Sequence, residues 1–296
     1  FNANAFMVRD RPLTRTMLIQ PDGKILIGGH FGDLVHPVAR LNPDGSTDTS
    51  FVAPRIQESN VGWVFSIALD SSNRIVIGGR FDLVDGVERH CLARLQANGT
   101  LDPTFHVGPL ESDHPAVTIV ATQPDGRIIL GGRFHHVAGV ARLGLARVDA
   151  TGALDANFDA GENIGVAGRP PYVNAVAVRP DGNLIVAAGT GANCCCPAPR
   201  SLCVLNSDGS LDASFGVPGT PEPALVSVIA VQSDGKLLVS QGLASTYNGQ
   251  NRNPIARLHA DGTLDTSFIA AVTGDGACVT IQPDGKLLLG GTWFQF

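Results

Sequence analysis

Two peptide landmarks recur along this chain, and their recurrence limits what it can fold into more than any composition does. The first joins a turn to an apolar run and a pair of glycines: Gln20-Pro21-Asp22-Gly23-Lys24-Ile25-Leu26-Ile27-Gly28-Gly29. It returns from Gln123 to Gly132 and from Gln282 to Gly291, with looser copies beginning at Asp70, Arg179 and Gln232. The second is Ala39-Arg40-Leu41-Asn42-Pro43-Asp44-Gly45-Ser46-Thr47-Asp48-Thr49-Ser50-Phe51, and its copies end at Phe105, Phe158, Phe215 and Phe268. The closing Phe returns every 53 to 57 residues, a regularity that composition does not produce.

Each unit reads as short strands. Phe65, Ile67 and Leu69 alternate with Val64, Ser66 and Ala68, the period of a strand with two unlike faces. Ile75-Val76-Ile77 is apolar on both faces, as a strand sandwiched between neighbouring sheets requires. In most copies Pro-Asp-Gly joins the two as a hairpin turn: Pro presets φ, Asp bonds its own turn, and Gly takes the left-handed site. A third strand is expected at Leu92-Ala93-Arg94-Leu95 and a fourth from Thr100 to Phe105. No sustained 3.6-residue period occurs.

Charged residues are only 16% of the chain and glycines number 35, which suits short apolar strands joined by tight turns. Four antiparallel strands in each unit of about 53 residues make a propeller blade, whose sheet buries both faces only by stacking on its neighbours. The fold expected is therefore all-β: one propeller domain over residues 1–296, with five full repeats ending near Phe51, Phe105, Phe158, Phe215 and Phe268 and a partial sixth at 269–296. Six blades is the expected number, the last one incomplete. Residues beyond this chain, a larger ring, or a strand donated by another subunit would each complete it. An open β-solenoid is the rival architecture, and its repeats are shorter.

The Pro-Asp-Gly-Lys-Ile-Leu-x-Gly-Gly and Ala-Arg-Leu-Asn-x-Asp-Gly-Ser-x-Asp-x-Ser-Phe motifs resemble the delta-60 repeat family of bacterial β-propeller-like proteins, over essentially the whole chain. The resemblance implies a secreted or cell-surface bacterial protein and no particular chemistry.

A net charge of −6 and few aromatic residues argue against a nucleic-acid partner. No apolar run is long enough for a membrane-spanning helix. The opening Phe1-Asn2-Ala3-Asn4 carries no leader pattern and reads as the middle of a repeat, as expected of a processed or partial chain.

Several residues invite chemistry. Arg40, Arg94, Arg147 and Arg257 each precede an Asp by eight residues (Asp48, Asp102, Asp155 and Asp265), across a tight turn. That spacing places guanidinium and carboxylate side by side in a bidentate, structural pair. The fourth unit keeps Asp212 but has Val204 in place of the Arg. Asn42, Asp44 and Asp48, with Asp208/Asp212 and Asp261/Asp265, raise a calcium reading, but the spacing lacks the alternation of a calcium loop, and no cofactor is expected. Cys194-Cys195-Cys196 and Cys203 fall in the longest unit; Cys203 pairing with Cys194 or Cys196 in a disulfide loop, free thiols and a thiolate metal site all remain open. Cys91 and Cys278 are expected in the core. His135-His136 reads as a solvated loop, and Asn98-Gly99-Thr100 as a turn rather than a glycan acceptor.

No nucleophile elbow, zinc-protease helix or phosphate loop occurs, so the chain is not expected to be an enzyme. The expected role is a structural or interaction propeller that engages protein partners, or itself, through its rim or open edge. A carbohydrate- or small-ligand-binding propeller is the alternative. Trp63, Trp293, Tyr172 and Tyr247 are its only stacking candidates, and they read as sharing no repeat position.

Overall fold

The structure is a computed structural model that describes residues 13–31, 36–58, 62–164, 171–189, 202–216, 226–241, 246–247, 250–251, 255–270, 273–282 and 284–295. It divides into two compact units, Phe1–Ala156 and Asn157–Phe296. Among the described residues all regular structure is β apart from a 3-10 turn at Gly161–Ile164.

In the first unit the strands are β1 (Leu13–Ile19), β2 (Ile25–His30), β3 (Val38–Leu41), β4 (Ile56–Gln57), β5 (Trp63–Leu69), β6 (Ile75–Arg80), β7 (Leu83–Val84), β8 (Val87–Glu88) and β9 (Leu92–Leu95). They continue as β10 (Leu110–Glu111), β11 (Ala116–Thr122), β12 (Ile128–Arg133), β13 (His136–Val137), β14 (Val140–Ala141) and β15 (Leu145–Val148). The main sheets are β1-β2-β3, β5-β6-β9 and β11-β12-β15, all antiparallel. The second unit contains β16 (Tyr172–Val178), β17 (Leu184–Gly189), β18 (Leu202–Leu205), β19 (Val226–Val231) and β20 (Leu237–Gln241). Beyond these lie β21 (Thr246–Tyr247), β22 (Gln250–Asn251), β23 (Ile255–Leu258), β24 (Thr273–Ile281) and β25 (Leu287–Gln295). Their main sheets are β16-β17-β18, β19-β20-β23 and the two-stranded β24-β25.

The turn chemistry read from the sequence is visible in the hydrogen bonds. Gly23 N–H donates to Gln20 O at 2.9 Å, Gln20 N–H to Lys24 O at 2.8 Å, and Gly23 has φ +82°. This is a type I turn closed by a left-handed residue. The expected fourth strand is reduced to a single antiparallel bridge in each repeat, such as Leu95↔Leu101. Asp102 is the reason. Its carboxylate accepts from Thr104 N and Oγ1 at 3.0 and 2.7 Å, which folds the chain into a turn and drives Phe105 inward.

The core lies between sheets rather than within one. Leu26 and Val38 of the first blade cluster with Val64, Ile67, Ile75 and Ile77 of the second. Val76 and Leu92 of the second cluster with Val117, Val120 and Leu130 of the third. In the second unit, Ile185 and Val204 cluster with Val226, Leu237 and Val239. Two hydrogen bonds cross the seam between the second and third blades, from Val120 N–H to Ser66 Oγ at 3.0 Å and from Thr122 Oγ1 to Leu69 O at 2.8 Å.

The paired glycines serve this packing in two ways. A Cβ on Gly78 would meet Val117 Cγ1 of the next blade at 2.6 Å. A Cβ on Gly79 would fall on the carbonyl oxygen of Trp63, beside the bulge between Val64 and Ser66. The bulge bends the first strand over its neighbour. Only a residue without a side chain fits beneath it. Gly79→Ala should therefore cost on the order of 1–3 kcal/mol or more through overpacking. Gly216→Ala, where nothing lies within 4 Å, should change stability by less than about 1 kcal/mol. Urea denaturation of the two variants side by side checks this.

Candidate functional site

Each blade has two ends, and its charged residues divide between them. The Pro-Asp-Gly turns and the turns after the third strand lie at one end. There the structure brings every sequence-predicted Arg next to its Asp. Arg40 Nε is 2.7 Å from Asp48 Oδ2, Arg94 Nε 2.8 Å from Asp102 Oδ2, Arg147 Nε 2.9 Å from Asp155 Oδ2 and Arg257 Nε 2.9 Å from Asp265 Oδ2.

The contact is not the bidentate fork expected from the spacing. One nitrogen meets one oxygen, because the other atoms are engaged elsewhere. Asp48 Oδ1 accepts from Ser50 N and Oγ at 3.0 and 2.6 Å. Arg40 Nη1 donates 2.6 Å to Ala97 O, and Arg94 Nη1 2.7 Å to Ala150 O, each a carbonyl in the turn of the following repeat. The guanidinium also lies over the closing Phe of its own repeat: Arg40 4.9 Å from the Phe51 ring centre, Arg94 4.7 Å from Phe105 and Arg257 4.7 Å from Phe268. The Arg therefore joins its own turn to its own core and, in the first two repeats, to the next blade.

A second cation enters from the turn between the first two strands, with Lys24 2.7 Å from Asp48, Arg127 3.1 Å from Asp155 and Lys236 3.3 Å from Asp265. The hydrogen bond from Lys24, together with that from Ser50, holds the Asp48 carboxyl well below the usual range. Ser267 and Lys236 do the same for Asp265. Burial opposes the shift at Asp102, but the bonds from Thr104 and Arg94 outweigh it and keep its pKa lowered. In the fourth repeat Val204 is wholly buried among Ile185, Leu202 and Phe215. Asp212 there is lowered chiefly by Ser214, with Arg179 adding a charge from the turn that elsewhere begins with Gln or Asp.

The candidate calcium residues sit in these turns. Asp44 Oδ1 accepts from Ser46 N and Oγ, and Asp261 Oδ1 from Thr263 N and Oγ1. Asn98 Oδ1 likewise accepts from Thr100 N and Oγ1. Cys203 lies buried in β18 at the place of Ala39, Ala93, Ala146 and Ala256, while Cys194 and Cys196 lie outside the described residues. Cys91 is buried just ahead of β9 at φ +63°, and burial pushes its thiol up to about 12. Cys278, expected in the core, is exposed on β24 in the last sheet.

The opposite end carries features that the sequence reading missed. Between the second and third strands, β7-β8 and β13-β14 form small hairpins, each paired to the linker entering its blade, β4 and β10. Their turns, Asp85-Gly86 and Ala138-Gly139, hold positive φ at both residues, the mirror-image turn that matches strand twist. Asp-Gly between short apolar pairs was the legible signal. Asp85 N–H donates to Arg55 O and Arg55 N–H to Asp85 Oδ1, so the first hairpin is tied down. Val87 and Val140, matching residues just past the two turns, are each 45% exposed. His136 belongs to β13, not to a loop, with Nδ1 3.6 Å from Glu111 Oε2.

Trp63 and Tyr172 do share a repeat position, the first residue of the first strand, paired with Arg80 and Gly189. His30 of the first blade stacks on Trp63 of the second, with centroids 4.4 Å apart and planes 15° apart. Arg80, opposite Trp63, bonds Glu58 Oε1 at 2.7 Å. Glu58, Arg80, Trp63 and His30 thus form a continuous polar and aromatic run at this end.

Comparison with known proteins identifies the architecture. The family model described as "Domain of unknown function (DUF5122) beta-propeller" matches residues 20–51, 71–105, 123–158 and 232–268, just under half the chain. Four of its repeats are thus similar to those of a β-propeller family. The match does not carry the delta-60 name. No curated protein matches the sequence. Among solved structures, a gluconolactonase from Xanthomonas campestris is similar at 18% identity over 95% of this chain and 83% of its own, with TM-score 0.56. A virginiamycin B lyase from Staphylococcus aureus is similar at 12% identity over 96% and 79%, with TM-score 0.60. The WD40 β-propeller domain of Doa1 is similar at 13% identity over 93% and 75%, with TM-score 0.57. The chain is an all-β propeller.

These likenesses correct one expectation. The reading of the chain as not an enzyme rested on missing motifs, yet a lactonase and a lyase share its fold over almost its whole length. Absence of a familiar motif therefore does not separate this chain from enzymes. At such identities the likeness establishes the fold and assigns no reaction.

Two outcomes follow for the turn end. Arg94→Ala leaves Asp102 buried without its main partner and should lower stability by about 3–5 kcal/mol, measured by urea denaturation. The second concerns acid. Folded carboxyls below the unfolded value near 3.9 contribute stability that is present above that value and lost as pH falls through the folded one. The denaturation midpoint should stay level from neutral pH to about 5 and decline below about 4.

Proposed function

We propose that this chain is an interaction β-propeller of an exported or surface-exposed bacterial assembly, engaging a protein partner through the hairpin end of its blades. The carrying observation is the matched exposure of Val87 and Val140 beside two rigid turns, at equivalent places in successive blades. Apolar side chains held out at fixed spacing suit a partner's surface, since their burial is favourable and little is ordered on docking. The turn end supports the same reading, because its carboxylates and guanidinia are already engaged with one another. Export follows from the resemblance of the repeats. The last sheet supports assembly as well: β24 and β25 pair with each other, and among the described residues no third strand pairs with β25. That edge can receive a strand from a neighbour.

A small ligand is the second reading, favoured by the His30–Trp63 stack next to Arg80 and Glu58, which offers a flat face beside hydrogen-bonding groups.

A photo-crosslinker at position 87 or 140 of the full protein in producing cells should give a discrete adduct on the outer surface, and one at Asp22 or Asp125 should not. Equal labelling at both ends, or none at the hairpins, would sink the proposal. Calorimetric titration with oligosaccharides, abolished by Trp63→Ala, would select the second reading.

A further inference from the structure

What the fold requires recurs from blade to blade, as the Arg–Asp pairs and the closing Phe do. A combination found in one blade answers to something else. The second blade carries such a combination where its first strand opens. Trp63 begins β5 with Arg80 as its cross-strand partner, and Glu58 follows β4. In the third blade the same places hold Ala116, Arg133 and Ser112, and in the first blade Leu13 stands opposite His30. Among the described residues of the first unit, an aromatic ring, a guanidinium and a carboxylate occupy these three places only here.

Gly62 lets the pieces meet. A Cβ there would lie 2.6 Å from Ile56 O, so the start of β5 rests directly on β4, just ahead of Glu58. Arg80 Nε is 2.7 Å from Glu58 Oε1, with the two side chains 44% and 26% exposed. Among the described residues no other hydrogen bond or ion pair engages either group, which leaves the Arg80 Nη nitrogens as donors beside Glu58 Oε2 as an acceptor. Trp63 is flanked by the rings of His30 at 4.4 Å and Phe65 at 6.1 Å, and all three are half-buried.

We infer that this site takes a neutral sugar with vicinal hydroxyls. One hydroxyl donates to Glu58 Oε2, its neighbour accepts from an Arg80 Nη–H, and the C–H face of the ring lies on the aromatic run. The inference rests on the small-ligand reading of this site and adds the ligand's class. Each hydroxyl both donates and accepts, so adjacent hydroxyls match an acceptor held beside a donor. An acidic sugar would be drawn to Arg80 but set against Glu58, whose charge already offsets the guanidinium. The ion pair orders both side chains before the ligand arrives, so little rotamer freedom is lost on binding.

Calorimetric titration of the full chain tests it, with the methyl glycosides of glucose, galactose and mannose as neutral probes and methyl galacturonide as the acidic one. At least one neutral glycoside should bind, with an affinity that salt leaves unchanged. Glu58→Gln should weaken that binding roughly tenfold or more, and Arg80→Gln should do the same. Both side chains are partly exposed, so circular dichroism of each variant should match the native chain. Tighter binding of the galacturonide than of the galactoside overturns the neutral-sugar assignment and leaves a small-ligand site in place. So does a Glu58→Gln variant that holds sugar as well as the native chain. No binding of any glycoside, neutral or acidic, overturns the small-ligand reading as well.

Discussion

A sheet that is apolar on both faces has no stable existence in water, and every feature of this protein answers to that constraint. Ile75, Val76 and Ile77 are wholly buried although they are consecutive residues on one strand, so both faces of their sheet are covered. Fully burying each such side chain is worth about 1.5–3 kcal/mol, and none of it is available to a blade standing alone. The paired glycines follow from the same demand. Contact between sheets is close enough that Gly78 has no room for a methyl group, and the bulged first strand lies close enough that Gly79 has none either.

Stacking by itself would allow the sheets to slide, since aliphatic surfaces carry little direction. The Arg–Asp–Phe arrangement supplies the direction. Arg94 touches Asp102 of its own turn, the Phe105 ring of its own core and the Ala150 carbonyl of the next repeat, so one side chain relates three elements. Buried ion pairs are weak sources of net stability, because desolvation offsets much of the attraction, and a well-packed hydrophobe serves nearly as well. The fourth repeat illustrates this: Val204 is buried where the Arg would stand, and Arg179 approaches the remaining Asp212 from another strand end.

The carboxylates and guanidinia of the turn end are engaged with one another, so the proposed recognition is placed on the hairpins and first-strand ends. The lactonase and lyase that share the fold, and the WD40 domain beside them, show how little the scaffold restricts activity. What acts is whatever the loops at one end present.

The sequence by itself determined the repeat, the turn between the first two strands, the three main strands and the eight-residue interval between Arg and Asp, because each depends on residues close in the chain. Asp85-Gly86 carried a hairpin signal that the sequence reading missed. Ala138-Gly139 carried a weaker one, since Ala seldom takes positive φ. Only the tertiary structure decided which carbonyl Arg94 reaches, 56 residues away, and that His30 lies against Trp63. The same holds for burial at the ends. Leu26 and Leu288 follow nearly identical turns, yet one is buried and the other exposed. Exposure belongs to the surface that a neighbour covers, and no local sequence contains its neighbour.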